Sequence, residues 1–234
     1  MQRYFAPIIN GMVSLSKEDE HHITHVMRMK VGETFEVVDH KIVYVYEISS
    51  ISPLSLQLVD KKEEDVELNS EVTLFFALAK GDKIDLVIQK ATEIGVNRII
   101  LFKSKRCVVN FDNKDIEKKL LRFNKIAKEA SEQCHRLIIP QIIGVIDLKD
   151  IDKYKSDINY LAYEKEAGNN EDSLKVKEHQ SVSIMIGSEG GFDEEEVSYL
   201  VEKGFKTISL GKRILRCETA AIYALSVLSY KLEN

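Results

Sequence analysis

Hydrophobic and polar positions change their period several times along the 234-residue chain, and those changes mark its elements. Short β-branched or aromatic runs at 35–38, 42–48 and 55–59, divided by Asp39-His40-Lys41 and Ser52-Pro53, predict strands joined by turns. Residues 18–30 predict a helix capped by Ser16, with Ile23, Val26 and Met27 on one face. Eight charged residues between 60 and 71 read as an exposed linker and put a domain boundary near residue 70. Beyond it, 72–79 is an unbroken apolar run, the pattern of a strand buried on both faces. Asp82 then predicts the cap of a helix ending at Gly95, with Ile84, Val87, Ile88 and Ala91 at helical spacing. Further strands are expected at 98–102, 137–139, 158–163, 182–186 and 207–210. Helices are expected at 114–134, from the cap Asp193 to about 203, and at 218–232, with a polar surface loop over 163–180. The alternation gives an α/β domain over 71–234 with a mostly parallel sheet, preceded by a small β domain over 1–70.

Two strand ends carry glycine turns. The strand at 182–186 runs into Gly187-Ser188-Glu189-Gly190-Gly191-Phe192, and the one at 207–210 into Gly211. Glycine turns side by side at strand ends make a ligand crevice on an open α/β sheet. Neither turn has the spacing of a dinucleotide or NTP phosphate loop.

Composition narrows the class. Apolar content of 44% and charged content of 30% describe an ordinary globular protein. Cys107, Cys134 and Cys217 are too few and scattered for a disulfide framework or a zinc site. His21, His22 and His25 lie near one another, but no second ligand cluster accompanies them, so no metal is expected. The start of the chain lacks a signal pattern and no apolar run is long enough to span a bilayer, so a cytoplasmic protein without a membrane partner is expected. The net charge of −5 hides an asymmetry: residues 80–136 hold 14 Lys/Arg against 8 Asp/Glu. A local basic excess can be an RNA footprint or a solvated helix face. Lys103, Lys105 and Arg106, in the loop after a strand, are its candidate contacts. The helix at 218–232 is apolar almost all round, and a helix of that kind is covered on more than one side, which points to a subunit interface.

The string L-G-K-R-I-L-R-C-E-T-A, with G-S-E-G-G-F about twenty residues upstream, resembles the ribosomal RNA uridine N3-methyltransferases. These S-adenosylmethionine (SAM) enzymes of the SPOUT, or trefoil-knot, superfamily act on the small-subunit (16S) RNA. K-G-D-K-I-D-L-V-I-Q-K-A-T-E-I-G-V, I-A-K-E-A-S-E-Q-C-H-R and the N-terminal R-Y-F and H-H-I-T-H-V-M-R extend the likeness over nearly the whole chain. The resemblance implies a knotted SAM-binding domain after a PUA-like RNA-binding β-barrel, a homodimer through the C-terminal helix, and 16S rRNA, within the assembled subunit, as partner. Two departures stand out: Ser188 where the family commonly has proline, and Cys217 where threonine is usual.

SAM carries a sulfonium cation beside its methyl group and an adenine that needs an apolar slot. Ile186, Leu210, Ile214 and Leu215, the turns at Gly187, Gly191 and Gly211, and by resemblance Leu161 are the candidate walls, with Glu189 in the glycine loop. Methylating uracil N3 requires its proton to leave, which a base and a cation beside O2 or O4 would assist. Arg216 and Glu218 offer that pair, or else a structural ion pair and cap; Thr219 is a candidate for positioning a base edge. Glu132 is a further catalytic candidate, and Arg3, Arg28, Lys30 and Arg136 are candidate RNA contacts by resemblance. A SAM-independent RNA-binding module and a small-molecule-binding α/β protein are the competing classes, separated by whether SAM binds saturably.

Overall fold

The computed structural model describes residues 1–109, 111, 113–164, 174–177 and 179–234, and divides into two compact units. The N-terminal unit comprises Met1–Glu67 together with Ser131–Ile138; the other comprises Leu68–Ala130 and Ile139–Asn234.

In the N-terminal unit β1 (Arg3–Phe5) is followed by the small antiparallel pair β2 (Ile8–Ile9) and β3 (Met12–Val13), α1 (Lys17–His21), β4 (Thr34–Asp39), β5 (Ile42–Ile51) and β6 (Leu54–Lys62). Its main sheet has the order β1-β4-β5-β6, β1 parallel to β4 and the rest antiparallel. His40 and Lys41, both at positive φ, make the left-handed corner between β4 and β5 that matches strand twist. Ser16 caps α1, its hydroxyl accepting from the Asp19 N–H at 3.0 Å. The helix widens into a π-helical turn over His22–Val26 and stops before Arg28, whose φ is +53°, rather than reaching residue 30. Tyr4, Ile23, Phe35, Val37, Tyr46 and Ile48 form the core.

The second unit contains β7 (Val72–Ala77), α2 (Lys83–Glu93), β8 (Arg98–Phe102), α3 (Asn113–Gln133, up to Ala130), β9 (Gln141–Ile146), β10 (Ile158–Ala162), β11 (Val182–Ile186), α4 (Glu194–Glu202), β12 (Lys206–Ile208) and α5 (Cys217–Glu233). Its six strands lie in the order β12-β10-β11-β7-β8-β9, every pair parallel. Both faces of the sheet are covered, which is why β7 and β11 read as continuous apolar runs. Leu74, Phe76 and Ile184 face α2, α3 and α5; Phe75, Ala77, Met185 and Leu161 face the side of Leu200 on α4.

Two further expectations change. No strand forms at 137–139, because the backbone N–H groups of Leu137 and Ile138 donate to the Glu67 carboxylate at 2.8 and 3.2 Å; the strand comes later, as β9. Asp82 occupies the position before α2, but its side chain makes no capping hydrogen bond. The loop expected at 163–180 lies largely outside the described residues, while Leu174 is buried and the Tyr160 hydroxyl bonds the backbone of Lys175. Asp193 does cap α4, in a reciprocal box with Glu196 that contributes about 1 kcal/mol. No helix among the described residues is long and apolar enough to cross a membrane.

Candidate active site

The carboxyl ends of β10, β11 and β12 open into one cleft of about 240 Å3. Its walls are Ala162–Glu164 after β10, Ile186–Phe192 after β11, and Ser209–Leu215 after β12, closed by Cys217 and Ala220 at the start of α5. Of the cofactor candidates, Ile186, Gly187, Glu189, Gly191, Leu210, Gly211, Ile214 and Leu215 all line it. Leu161 does not: it lies wholly buried in the core, and the period of two in β10 hands the wall to Ala162 and the residues after it. Gly191 has φ +68°, and a Cβ there would come to 3.1 Å from Glu164 Oε1. The loop is pinned from outside by Arg106, whose guanidinium donates to the Gly190 carbonyl at 3.0 Å. Ser188 keeps the turn without the family's proline, its carbonyl accepting from the Gly191 N–H at 2.9 Å. Its hydroxyl is buried without a hydrogen-bond partner among the described residues.

At the start of α5 the alternative reading of Arg216 and Glu218, a structural ion pair, is not what forms. Arg216 precedes the helix, its carbonyl accepting from the Ala220 N–H at 2.8 Å; its exposed guanidinium has no hydrogen-bond or ion-pair partner among the described residues. Glu218 instead accepts from the Cys217 thiol at 3.3 Å and lies 3.6 Å from the Lys83 ammonium. Burial pushes the Glu218 carboxyl up, but its own backbone N–H, Cys217 and Lys83 outweigh this and hold it below its ordinary value. Burial, reinforced by the Glu218 carboxylate, pushes the Cys217 thiol up to about 12, so it is a hydrogen-bond donor and not a nucleophile. Thr219 is exposed on the first turn of α5.

The other candidates scatter. Arg3 is 1% exposed: it donates to Glu36 at 2.8 and 3.0 Å, to Glu64 at 2.8 Å and to the His135 carbonyl at 2.7 Å. Arg136 is likewise buried, against Glu67 at 2.6 Å. Neither is a surface RNA contact in this structure, because breaking a buried ion pair costs about 3–5 kcal/mol. Glu132 accepts from the Phe5 N–H at 3.3 Å in the N-terminal unit and does not line the cleft. Arg28 and Lys30 are exposed there. Lys103 is exposed, whereas Lys105 is drawn to Asp193 at 3.5 Å and to Glu195. On α5, Leu225 and Leu228 are buried within their own unit, and the exposed large side chains of apolar character are Tyr223 and Tyr230. His22 Nδ1 meets the Tyr4 hydroxyl at 2.9 Å, His21 stacks on His25, and no group of three or more His, Cys, Asp or Glu among the described residues is placed to hold a metal ion. Glu164 and Lys83 were missed from sequence. The K-G-D-K string carried Lys83, with nothing to say where its ammonium would go.

An all-parallel sheet with a glycine-walled cleft at its carboxyl ends defines an open-sheet α/β protein that takes its ligand there. Residues 66–229 match an RNA methyltransferase domain and residues 15–61 an RNA methyltransferase PUA domain. The ribosomal RNA small subunit methyltransferase E of Bacillus subtilis is 36% identical, over 100% of this chain and 98% of its own. A putative methyltransferase from Legionella pneumophila, solved with bound SAM, is 29% identical with a TM-score of 0.88 over 98% of this chain and 97% of its own. The SAM-bound ribosomal RNA small subunit methyltransferase E of Neisseria gonorrhoeae is 25% identical, with a TM-score of 0.86 over 99% and 98%. The chain belongs to the ribosomal RNA small subunit methyltransferase E family.

Proposed function

We propose that this chain transfers a methyl group from SAM to small-subunit ribosomal RNA, and that N3 of one uridine is the acceptor. The observation that carries the reading is the cleft beside α5, with its glycine walls and apolar ends; the exposed Arg216 follows one lining residue, Leu215, and precedes another, Cys217. The residues suit SAM. Ile186, Leu210 and Leu215 supply an apolar slot, and the turns after β11 and β12 bring backbone close to the cavity, with Gly191 at a point where a Cβ would intrude. When bound, SAM supplies an electrophilic methyl group beside a positive sulfur. The chain's own contribution is electrostatic. Arg216, exposed and without a partner, is free to neutralise the charge that gathers on uracil O2 or O4 as the N3 proton leaves. Glu218 is turned to Cys217 and Lys83, does not line the cleft and is held below its ordinary value. It serves to fix the start of α5 and is a poor general base. A PUA-type N-terminal unit with Arg28 and Lys30 on its surface suits an RNA partner, and the outward Tyr223 and Tyr230 suit a second copy across α5.

The test is incubation of small ribosomal subunits, and separately their free RNA, with SAM and the protein, followed by mass spectrometry of nucleosides. N3-methyluridine is expected, and Arg216→Ala is expected to bind SAM as the parent does while turning over on the order of 10²–10³ more slowly. A different methylated nucleoside would move the acceptor. Lack of saturable SAM binding would leave an RNA-binding module.

A further inference from the structure

Behind the cleft, one side chain ties two of its walls together. Lys83 opens α2, and its ammonium lies 2.9 Å from Glu189 Oε1 and 3.6 Å from Glu218 Oε2. Glu189 belongs to the glycine loop after β11, and Glu218 to the first turn of α5. The Lys80 backbone N–H donates to the same Glu189 oxygen at 3.2 Å, so the turn before α2 also grips the loop. The Glu218 side chain is largely shielded, at 14% exposure, whereas those of Lys83 and Glu189 are partly open to solvent, at 28% and 34%. Lys83 itself does not line the cleft.

We propose that Lys83 is a positioning residue that holds these two carboxylates and, by cancelling one of their charges, sets how strongly the cleft prefers a cationic ligand to a neutral one. The proposal rests on the reading of the cleft as a SAM site. SAM carries one net positive charge, at sulfur; S-adenosylhomocysteine, left after methyl transfer, has the same shape less the methyl and no net charge. Two carboxylates bridged by one ammonium present a single negative charge. Without the ammonium they present two, and the added field favours the sulfonium while leaving the neutral product untouched. Glu164, Lys212 and Arg213 also line the cleft and stay the same in every variant below. Support for Lys83 over a purely structural clamp comes from geometry: its charge lies between the carboxylates, and the backbone contact from Lys80 already anchors the loop.

The experiment titrates SAM and S-adenosylhomocysteine calorimetrically into the parent, Lys83→Met, Lys83→Arg and Glu189→Gln, with melting temperatures recorded alongside. In Lys83→Met the affinity ratio of SAM to S-adenosylhomocysteine should rise by roughly 3- to 30-fold, the scale of one charge near a partly screened site. Lys83→Arg should restore the parent ratio, and Glu189→Gln should move it the other way. The shifts should shrink at high salt. If both ligands weaken equally in Lys83→Met, or neither changes, Lys83 is structural and the proposal is wrong. Should Lys83→Met fail to fold, the Glu189→Gln ratio decides alone, and an unchanged ratio overturns the proposal. A parent that binds neither ligand overturns the cofactor reading itself, a result distinct from a parent that binds both and variants that do not shift.

Discussion

Replacing Gly191 by valine perturbs the cleft at one backbone position. The residue has φ +68°, and its new Cβ would stand 3.1 Å from Glu164 Oε1. A left-handed φ costs a residue with a side chain about 1–2 kcal/mol, with β-branched residues at the upper end. Glu164 is exposed and can swing aside, so the contact adds little to the cost in stability. For a chain of this size, about 2 kcal/mol lowers the melting temperature by roughly 4–8 °C. Binding suffers more, since the isopropyl group and the displaced carboxylate both reach into the cavity. Overpacking of about 1–3 kcal/mol converts to a loss in SAM affinity of roughly 5- to 150-fold. Gly204→Ala is the control: φ is +89°, a Cβ there meets nothing within 4 Å, and the residue does not line the cleft. It should lower the melting temperature and leave the SAM titration unchanged. Parent-like SAM binding in Gly191→Val, or an equal loss of binding in Gly204→Ala, would refute the assignment of the cleft.

Glu218→Gln should keep most of the turnover and change the acid stability. Because the folded carboxyl sits below its ordinary 4.5, ionisation favours the fold above that value and the contribution is lost as pH falls through the lower folded value. The parent's melting temperature should therefore drop more steeply below about pH 4.5 than the variant's, and parallel curves would contradict the Lys83–Glu218–Cys217 contacts. Tyr223→Glu with Tyr230→Glu should yield a folded monomer by light scattering if a second copy covers that face, and an unchanged dimer mass would move the interface elsewhere. Lys103, Lys105 and Arg106 changed together to Ala should reduce the salt slope of RNA binding by less than three phosphate contacts, since Lys105 is paired with Asp193 and Glu195 and Arg106 holds Gly190. A fall of three would show that RNA breaks those contacts.

Periodicity served well wherever burial was one-sided or complete. β7, β11 and α2 follow directly from their apolar spacing, and Asp193 announced α4 as its cap. The glycine walls of the cleft were legible because the turns stand at strand ends, whatever packs around them. Partner choice was not legible. Arg3 and Arg136 look like surface cations until folding brings Glu36 and Glu67 to them, and neither pairing has a local signature. The helix at 218–232 reads as apolar almost all round and so as a subunit interface, yet its own unit already covers Leu225 and Leu228. The shift from a strand at 137–139 to β9 has the same origin, because a distant carboxylate captured the backbone N–H groups that a strand would have used.

The N-terminal unit is not a continuous piece of chain, since Ser131–Ile138 complete it. During synthesis, residues 1–67 must therefore wait for about seventy more residues to be made before Glu67 meets Arg136 and the His135 carbonyl reaches Arg3. A fragment cut after residue 67 would leave the Glu67 carboxylate without its cation and Arg3 short of an acceptor. Such a fragment is a poor source of the isolated N-terminal unit. Swapping this unit between relatives calls for exchanging both stretches at once, with the 131–138 segment treated as part of the N-terminal unit and not of the helix that carries it in.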